Sequence, residues 1–225
     1  MSSKPKKVMS ADQKKQLSVG RLHVLTDYHF QQRYSHAELS ELAIRGGADT
    51  IQFRQKSGHV RHRLRSAKNT ASVCSRTSTT LIIDDDIALA LSVQASGVHL
   101  GADDFPVFEA RQLLTPPRLI GATATTLEQA LAAQDAGADY IGFGPVFRTQ
   151  SKFNPTSVKG LTQLNRVCQS VSIPVIAIAG ITVHRVESVL DSGAFGIAVM
   201  SAVSLAADPT SATGELREMI ERFTS

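Results

Sequence analysis

The sequence predicts an α/β fold: a (β/α)8 barrel in a single domain. Two observations carry it. Short apolar runs alternate with segments of helical spacing from Leu22 onward, and strict βα alternation means parallel strands joined by helical crossovers. A Gly/Ala turn signal also precedes every second run, as in a barrel assembled from repeated βαβα pieces. The chain has 225 residues, and single-domain barrels of this kind take roughly 200–250.

In chain order the strand runs are Leu22–Leu25, Thr50–Phe53, Thr80–Ile83, Gly97–Leu100, Leu119–Ala122, Tyr140–Phe143, Val175–Ile178 and Phe195–Val199. Between them, Leu39, Leu42 and Ala43 recur at helical spacing, as do Leu127, Ala130 and Leu131. The repeated signal is Gly46-Gly47-Ala48-Asp49, Ser96-Gly97, Ala136-Gly137-Ala138-Asp139 and Ser192-Gly193-Ala194. A glycine after a helix admits the left-handed conformation that ends it. The rival is an open doubly wound sheet. Its glycine-rich dinucleotide turn would follow the first strand, and no GxGxxG stands there. The expected architecture is therefore a closed TIM-type barrel over residues 21–225, preceded by a Lys-rich tail or short extra helix over 1–20.

A hydrophobic fraction of 42% fills a sizeable core and argues against disorder. No apolar run approaches the roughly 20 residues needed to cross a bilayer, so no membrane partner is expected. The start is polar and lacks the apolar centre of a secretory signal. The net charge is +4. Lysines of the first sixteen residues account for that excess, so the body is near neutral and bulk charge does not call for nucleic acid. Cys74 and Cys168 fall in helical segments without a CxxC partner. They read as buried free thiols of a cytoplasmic protein. The oligomeric state, a homo-oligomer included, is left open.

Function in such a barrel sits at the C-terminal ends of the strands. After the second run comes Gln52-Phe53-Arg54-Gln55-Lys56. Strand alternation puts Gln52, Arg54 and Lys56 on one face, with Ile51 and Phe53 packing on helices. Two cations at one strand end need anions. These are either carboxylates across the mouth, Asp84 or Asp85, or a pyrophosphate. The third run ends in Asp84-Asp85-Asp86. Helix capping explains one or two of these carboxylates. Asp85 and Asp104, from neighbouring strand ends, suit a shared hard cation such as Mg2+, completed by phosphate oxygens and water.

His99 lies inside its strand and reads as a core histidine; His59 and His62 read as surface residues. The sixth run leads into the longest polar loop, from Gly144 to Gly160, of a composition suited to folding over phosphates. The seventh and eighth ends, Ala179-Gly180-Ile181 and Val199-Met200-Ser201, match the place where barrels often bind a phosphate group.

Taken together, Gln52–Lys56, Leu81–Asp85, Val98–Gly101, Gly142–Phe147, Val175–Ile181 and Ile197–Ser201 resemble the motifs of the thiamine-phosphate synthase family, in order and in spacing. The resemblance runs from about Leu22 to Ala202. It implies an enzyme, a transferase of thiamine biosynthesis. Such an enzyme joins the pyrophosphate of 4-amino-5-hydroxymethyl-2-methylpyrimidine to 4-methyl-5-(2-phosphoethyl)thiazole, with Mg2+-assisted loss of pyrophosphate. Carried over by position, it implies Mg2+ at Asp85 and Asp104. Arg54, Lys56, Thr123 and Lys152 would hold the pyrophosphate, with Asp84 beside it. Gln52 would meet the pyrimidine. Thr149 and Ser151 would lie near the thiazole phosphate, with Gly180, Met200 and Ser201.

The chain departs from the family pattern at several positions. Asp84 stands for a common Asn, Ala102 for Gln, Thr123 for Ser, Ser151 for Thr, Thr125 for His, and Ala179 for the first of two glycines. Two alternatives remain at this point: a thiazole tautomerase, which tends to lose the carboxylates and use a His at position 125, and a non-catalytic barrel that binds thiamine precursors.

Overall fold

The computed structural model describes residues 19–28, 30–77, 79–149 and 157–224. Eight parallel strands follow one another round a closed barrel. They are β1 (Leu22–Asp27), β2 (Thr50–Arg54), β3 (Thr80–Asp84), β4 (Gly97–Leu100), β5 (Leu119–Ala124), β6 (Tyr140–Phe143), β7 (Val175–Ile178) and β8 (Gly196–Val199). The last pairs with the first, with His23 level with Ala198. Helices α1 (His36–Arg45), α2 (Val60–Ser75), α3 (Ile87–Ser92), α4 (Val107–Leu113), α5 (Leu127–Asp135), α6 (Gly160–Ser170) and α7 (Val186–Asp191) return the chain between strands. After β8 come a short α8 (Ser201–Ser204) and a long α9 (Pro209–Thr224), which packs against α1 and α7 and closes the outer ring. The expected barrel is thus present. The 1–20 tail falls almost wholly outside the described residues.

Strand alternation sorts the side chains into two cores. Outward residues such as Val24, Ile51, Phe53, Ile83, Ile120, Ile141 and Ile197 are buried against the helices. Inward residues Leu25, Tyr140, Ile176 and Ala198 form a separate plug, with Ile178 and Met200 packed on it. Each large buried side chain contributes roughly 1.5–3 kcal/mol. Most of this apolar burial lies in the outer shell, so the inner positions near the mouth can carry polar groups.

Inside the barrel two glycines seat two rings. A Cβ at Gly121 would lie 2.1 Å from Tyr140 Cζ, and one at Gly142 would lie 2.7 Å from His99 Cε1. Any larger residue would displace a ring.

The repeated turn signal has a physical cause. Gly47, Gly137 and Gly193 take φ of +95°, +96° and +88°, the left-handed turn that ends a helix. Before β4 that role falls to Gln94, at φ +55°. The aspartates of the repeat close the bottom of the barrel. Asp49 Oδ2 accepts the N–H groups of Arg21 and Leu22, each at 3.0 Å, and pairs with Arg217. Asp139 Oδ2 accepts from Ile120 N at 2.6 Å and pairs with Arg111.

The strands run further than their apolar runs. β1 reaches Asp27, β2 Arg54, β3 Asp84 and β5 Ala124, because parallel backbone pairing continues through polar inward residues. β8 starts one residue late, at Gly196. Cys74 in α2 and Cys168 in α6 are free. Cys74 is buried, whereas Cys168 is only half-buried, short of the expectation; burial pushes the two thiols up to about 12 and about 11. His59 and His62, at the start of α2, are exposed as expected.

Candidate active site at the barrel mouth

The C-terminal ends of β1 to β4 bring one charged network together. Arg54 lies level with Asp27 in the β1–β2 register. Its guanidinium pairs with the Asp27 carboxylate, and its Nε lies 3.3 Å from Asp84 Oδ2. Gln52 Nε2 donates to Asp84 Oδ1 at 2.6 Å. Lys56 Nζ lies 2.6 Å from Asp85 Oδ2. The carboxylate partners weighed for the two cations are therefore present. Arg54 and Lys56 each face carboxylates.

The three consecutive aspartates divide their work. Asp86 caps α3, its Oδ1 accepting from Leu89 N at 2.8 Å. Asp84 ends β3 beside Arg54. Asp85 is held in the left-handed region at φ +64°. That conformation costs a non-glycine residue of order 1–3 kcal/mol and concentrates at functional sites. The turn carries Asp85 to Asp104, and the two carboxyls hydrogen-bond to each other. Asp104 Oδ2 also accepts from Gly101 N at 2.7 Å.

The electrostatics follow from this crowding. Burial, then the contact with Asp104 and the nearby Asp84, push the Asp85 carboxyl up to about 7. Burial also raises Asp84, against the opposing pull of Arg54 and Gln52. Burial would lower Lys56, but its contact with Asp85 outweighs that and raises it. Asp85 and Asp104 thus press on each other, and burial holds the Asp85 carboxyl well above its usual range. Among the described residues no three His, Cys, Asp or Glu side chains gather as a metal-holding group. The carboxylates that could share a cation here are the pair Asp85 and Asp104. A hard cation that keeps water and takes substrate phosphate oxygens fits two carboxylates.

Next to this network stands Thr123 on β5, partly exposed at the mouth. Its Oγ1 lies 2.9 Å from His99 Nε2, and His99 Nδ1 lies 3.2 Å from the Tyr140 hydroxyl. His99 is a hydrogen-bonded interior histidine, as expected. Burial holds its imidazole down at about 4, so it is neutral.

The opposite side of the mouth, at β6 to β8, is built from backbone rather than charge. Gly180 sits at φ +68°, and a Cβ there would lie 2.5 Å from Arg148 O. The close approach to Gly180 is thus made by the chain's own β6–α6 loop. Arg185 pins the same contact: its guanidinium donates to Gly180 O at 2.5 Å and stacks 4.5 Å from the Phe147 ring centre. Ala179 adopts φ +81°, a left-handed turn at the position where the resembled family has glycine. Met200 packs on the inner plug, and α8 begins at Ser201. Thr149 is partly exposed in the β6–α6 loop. Ser151 and Lys152 lie outside the described residues. Thr125 is tied to α5: its hydroxyl donates to Gln129 Oε1 at 3.0 Å.

The family model described as thiamine monophosphate synthase matches residues 22–203. The chain belongs to that family. A thiamine-phosphate synthase of Salinibacter ruber is 57% identical over 204 residues, covering 91% of this chain and 90% of the relative. Another, from Methanocella arvoryzae, is 43% identical over 90% of this chain and 95% of its own. Among solved structures, the thiamine phosphate pyrophosphorylase of Pyrococcus furiosus is 38% identical with a TM-score of 0.83, over 91% of this chain and 97% of that one. A 3-hexulose-6-phosphate synthase superposes with a TM-score of 0.64 at 17% identity, and shares the fold alone.

Beyond the family motifs, Asp27, Tyr140 and Arg185 also hold the mouth together. Asp27 is hard to read from the sequence because the first apolar run stops at Leu25. Its inward parity with His23 and Leu25 was the available signal. Tyr140 and Arg185 gave none, since their partners are distant in the chain.

Proposed function

We propose that this chain is a thiamine-phosphate synthase. It joins the pyrimidine pyrophosphate to the thiazole phosphate, giving thiamine phosphate and pyrophosphate. The observation that carries this reading is the convergence of Asp85 and Asp104 beside Lys56, Arg54 and Thr123 at one end of a family barrel. Loss of pyrophosphate to leave a pyrimidinylmethyl cation needs stabilisation of the leaving group more than a base. The residue set is of that kind.

Asp85 and Asp104 would hold Mg2+, which neutralises charge on the departing pyrophosphate when bound. Arg54 and Lys56 exchange their carboxylate partners for phosphate oxygens, and Thr123 and Lys152 donate to the same group. Gln52 orients the pyrimidine from its place beside Asp84. Thr149 and Ser151, with Gly180, Met200 and Ser201, take the thiazole phosphate on the other side, so the thiazole nitrogen faces the carbon that pyrophosphate leaves.

The tautomerase alternative finds no support here. Both carboxylates are kept, and Thr125 is turned into the α5 cap. Incubation with both precursors and Mg2+ tests the reading. Thiamine phosphate and pyrophosphate are expected in equal amounts; no product at any Mg2+ concentration would overturn it.

A further inference from the structure

Thr123 sits at the end of a hydrogen-bond chain that starts deep in the barrel. Tyr140 projects inward from β6 and is 1% exposed. It lies level with Gly121 in the β5–β6 register, and that glycine leaves the room its ring fills. His99 is seated against Gly142 in the same way. The two rings lie with centroids 5.5 Å apart. Each ring thus fills the space that a glycine leaves: Tyr140 of β6 over Gly121 of β5, and His99 of β4 against Gly142 of β6, across the barrel interior.

Proton counting gives the chain a direction. Burial, reinforced by Asp84 and Asp139, pushes the Tyr140 phenol up, so it keeps its proton. A buried hydroxyl that donates to nothing costs about 1–3 kcal/mol. Among the described residues its hydrogen-bond partner is His99 Nδ1. The phenol therefore donates and Nδ1 accepts. A neutral imidazole carries one N–H, which this places on Nε2. Nε2 then donates to Thr123 Oγ1, at 2.9 Å. With that lone pair filled from below, the Thr123 proton points elsewhere, and the partly exposed side of Thr123 is the mouth. Run the other way, the chain would have Thr123 donate inward and turn only lone pairs to an anion.

We infer that Tyr140 and His99 form a one-way hydrogen-bond chain that makes the Thr123 hydroxyl a donor to an oxyanion at the barrel mouth. Both are positioning residues; neither touches the reacting atoms. Taking that oxyanion to be pyrophosphate rests on the function proposed above.

Two readouts test it. The imidazole 15N shifts of His99, assigned with a His99→Gln variant, report the tautomer directly. The Nε2–H form is expected in the wild type, and Tyr140→Phe is expected to populate the Nδ1–H form. A wild-type Nδ1–H tautomer overturns the inference whatever the protein catalyses. The second readout is a double-mutant cycle on binding of Mg2+-pyrophosphate, followed by calorimetry. Tyr140→Phe is expected to weaken binding by roughly threefold to tenfold, the size of one hydrogen bond. In a Thr123→Val background the same change is expected to do nothing more, because the hydroxyl it orients is gone. An equal loss in both backgrounds means Tyr140 acts only through packing, and the inference fails. Thr123→Ser is expected to restore the Tyr140 dependence. A wild type that binds pyrophosphate with this coupling but makes no thiamine phosphate leaves the chain standing and removes the synthase reading.

Discussion

The two ends of this barrel use the same residue type for opposite purposes. At the bottom, Asp49 takes two backbone N–H groups and an arginine, and Asp139 takes one and an arginine. Their charge is spent on joining helices to strand starts. At the top, Asp84, Asp85 and Asp104 crowd together, and burial and mutual repulsion push Asp85 up to about 7. An aspartate surrounded by donors stabilises a fold, whereas aspartates pressed on one another lower stability until a ligand arrives. The difference lies in the company each carboxylate keeps: donors alone at the bottom, other carboxylates as well at the top.

Substitutions at the two ends should therefore fail differently. The largest effect belongs to the top. Asp85→Ala is expected to cut turnover by roughly 10²–10³-fold, as removal of one charge-stabilising group does, while the melting temperature is unchanged or higher. At the bottom, Asp49→Ala leaves the Arg21 and Leu22 N–H groups without their acceptor. A stability loss of about 2 kcal/mol is expected in denaturant titration, with turnover per folded molecule preserved.

Acid sharpens the same contrast. Burial holds His23, His36 and His99 down at about 4, so the folded chain leaves them neutral where the unfolded chain is protonated below about 6.5. The unfolded state then binds more protons, and stability falls as pH drops from about 6.5 to about 4, levelling below. Each histidine adds a slope of at most about 1.4 kcal/mol per pH unit. His23→Gln is expected to remove one such contribution from urea midpoints measured across that range.

The smallest effect concerns Ala179. Replacing it with glycine at φ +81° is expected to stabilise the chain by about 1 kcal/mol or less, since relief of the left-handed strain is partly offset by glycine's unfolded freedom. A thermal melt reads it.

The fold was legible because its signals are local. Strand runs, helical spacing and the Gly-Ala turns each depend on neighbours in sequence, and the eight strands fell where expected. Strand ends were legible only in part. Apolar content stops at Leu25, Phe53 and Ile83, while pairing continues to Asp27, Arg54 and Asp84. Arg54 and Asp84 stand out in the sequence by their charge, whereas Asp27 has no such motif around it. Parity along β2 did place Gln52 and Arg54 together, and adjacency of strand ends did suggest Asp85 with Asp104. The Thr123–His99–Tyr140 chain links β4, β5 and β6, and no spacing in the sequence encodes a contact across strands. Nor does spacing show that Gly180 accommodates the chain's own Arg148 carbonyl.

The most direct measurement is calorimetric titration of pyrophosphate into the wild type and Asp85→Asn, each with and without Mg2+. If the crowded top is a cation-completed anion site, the wild type binds pyrophosphate with Mg2+ present. Affinity then drops roughly a hundredfold when either Mg2+ or the Asp85 charge is removed. Equal binding in all four titrations would contradict the account and return Asp85 and Asp104 to the class of Asp49 and Asp139.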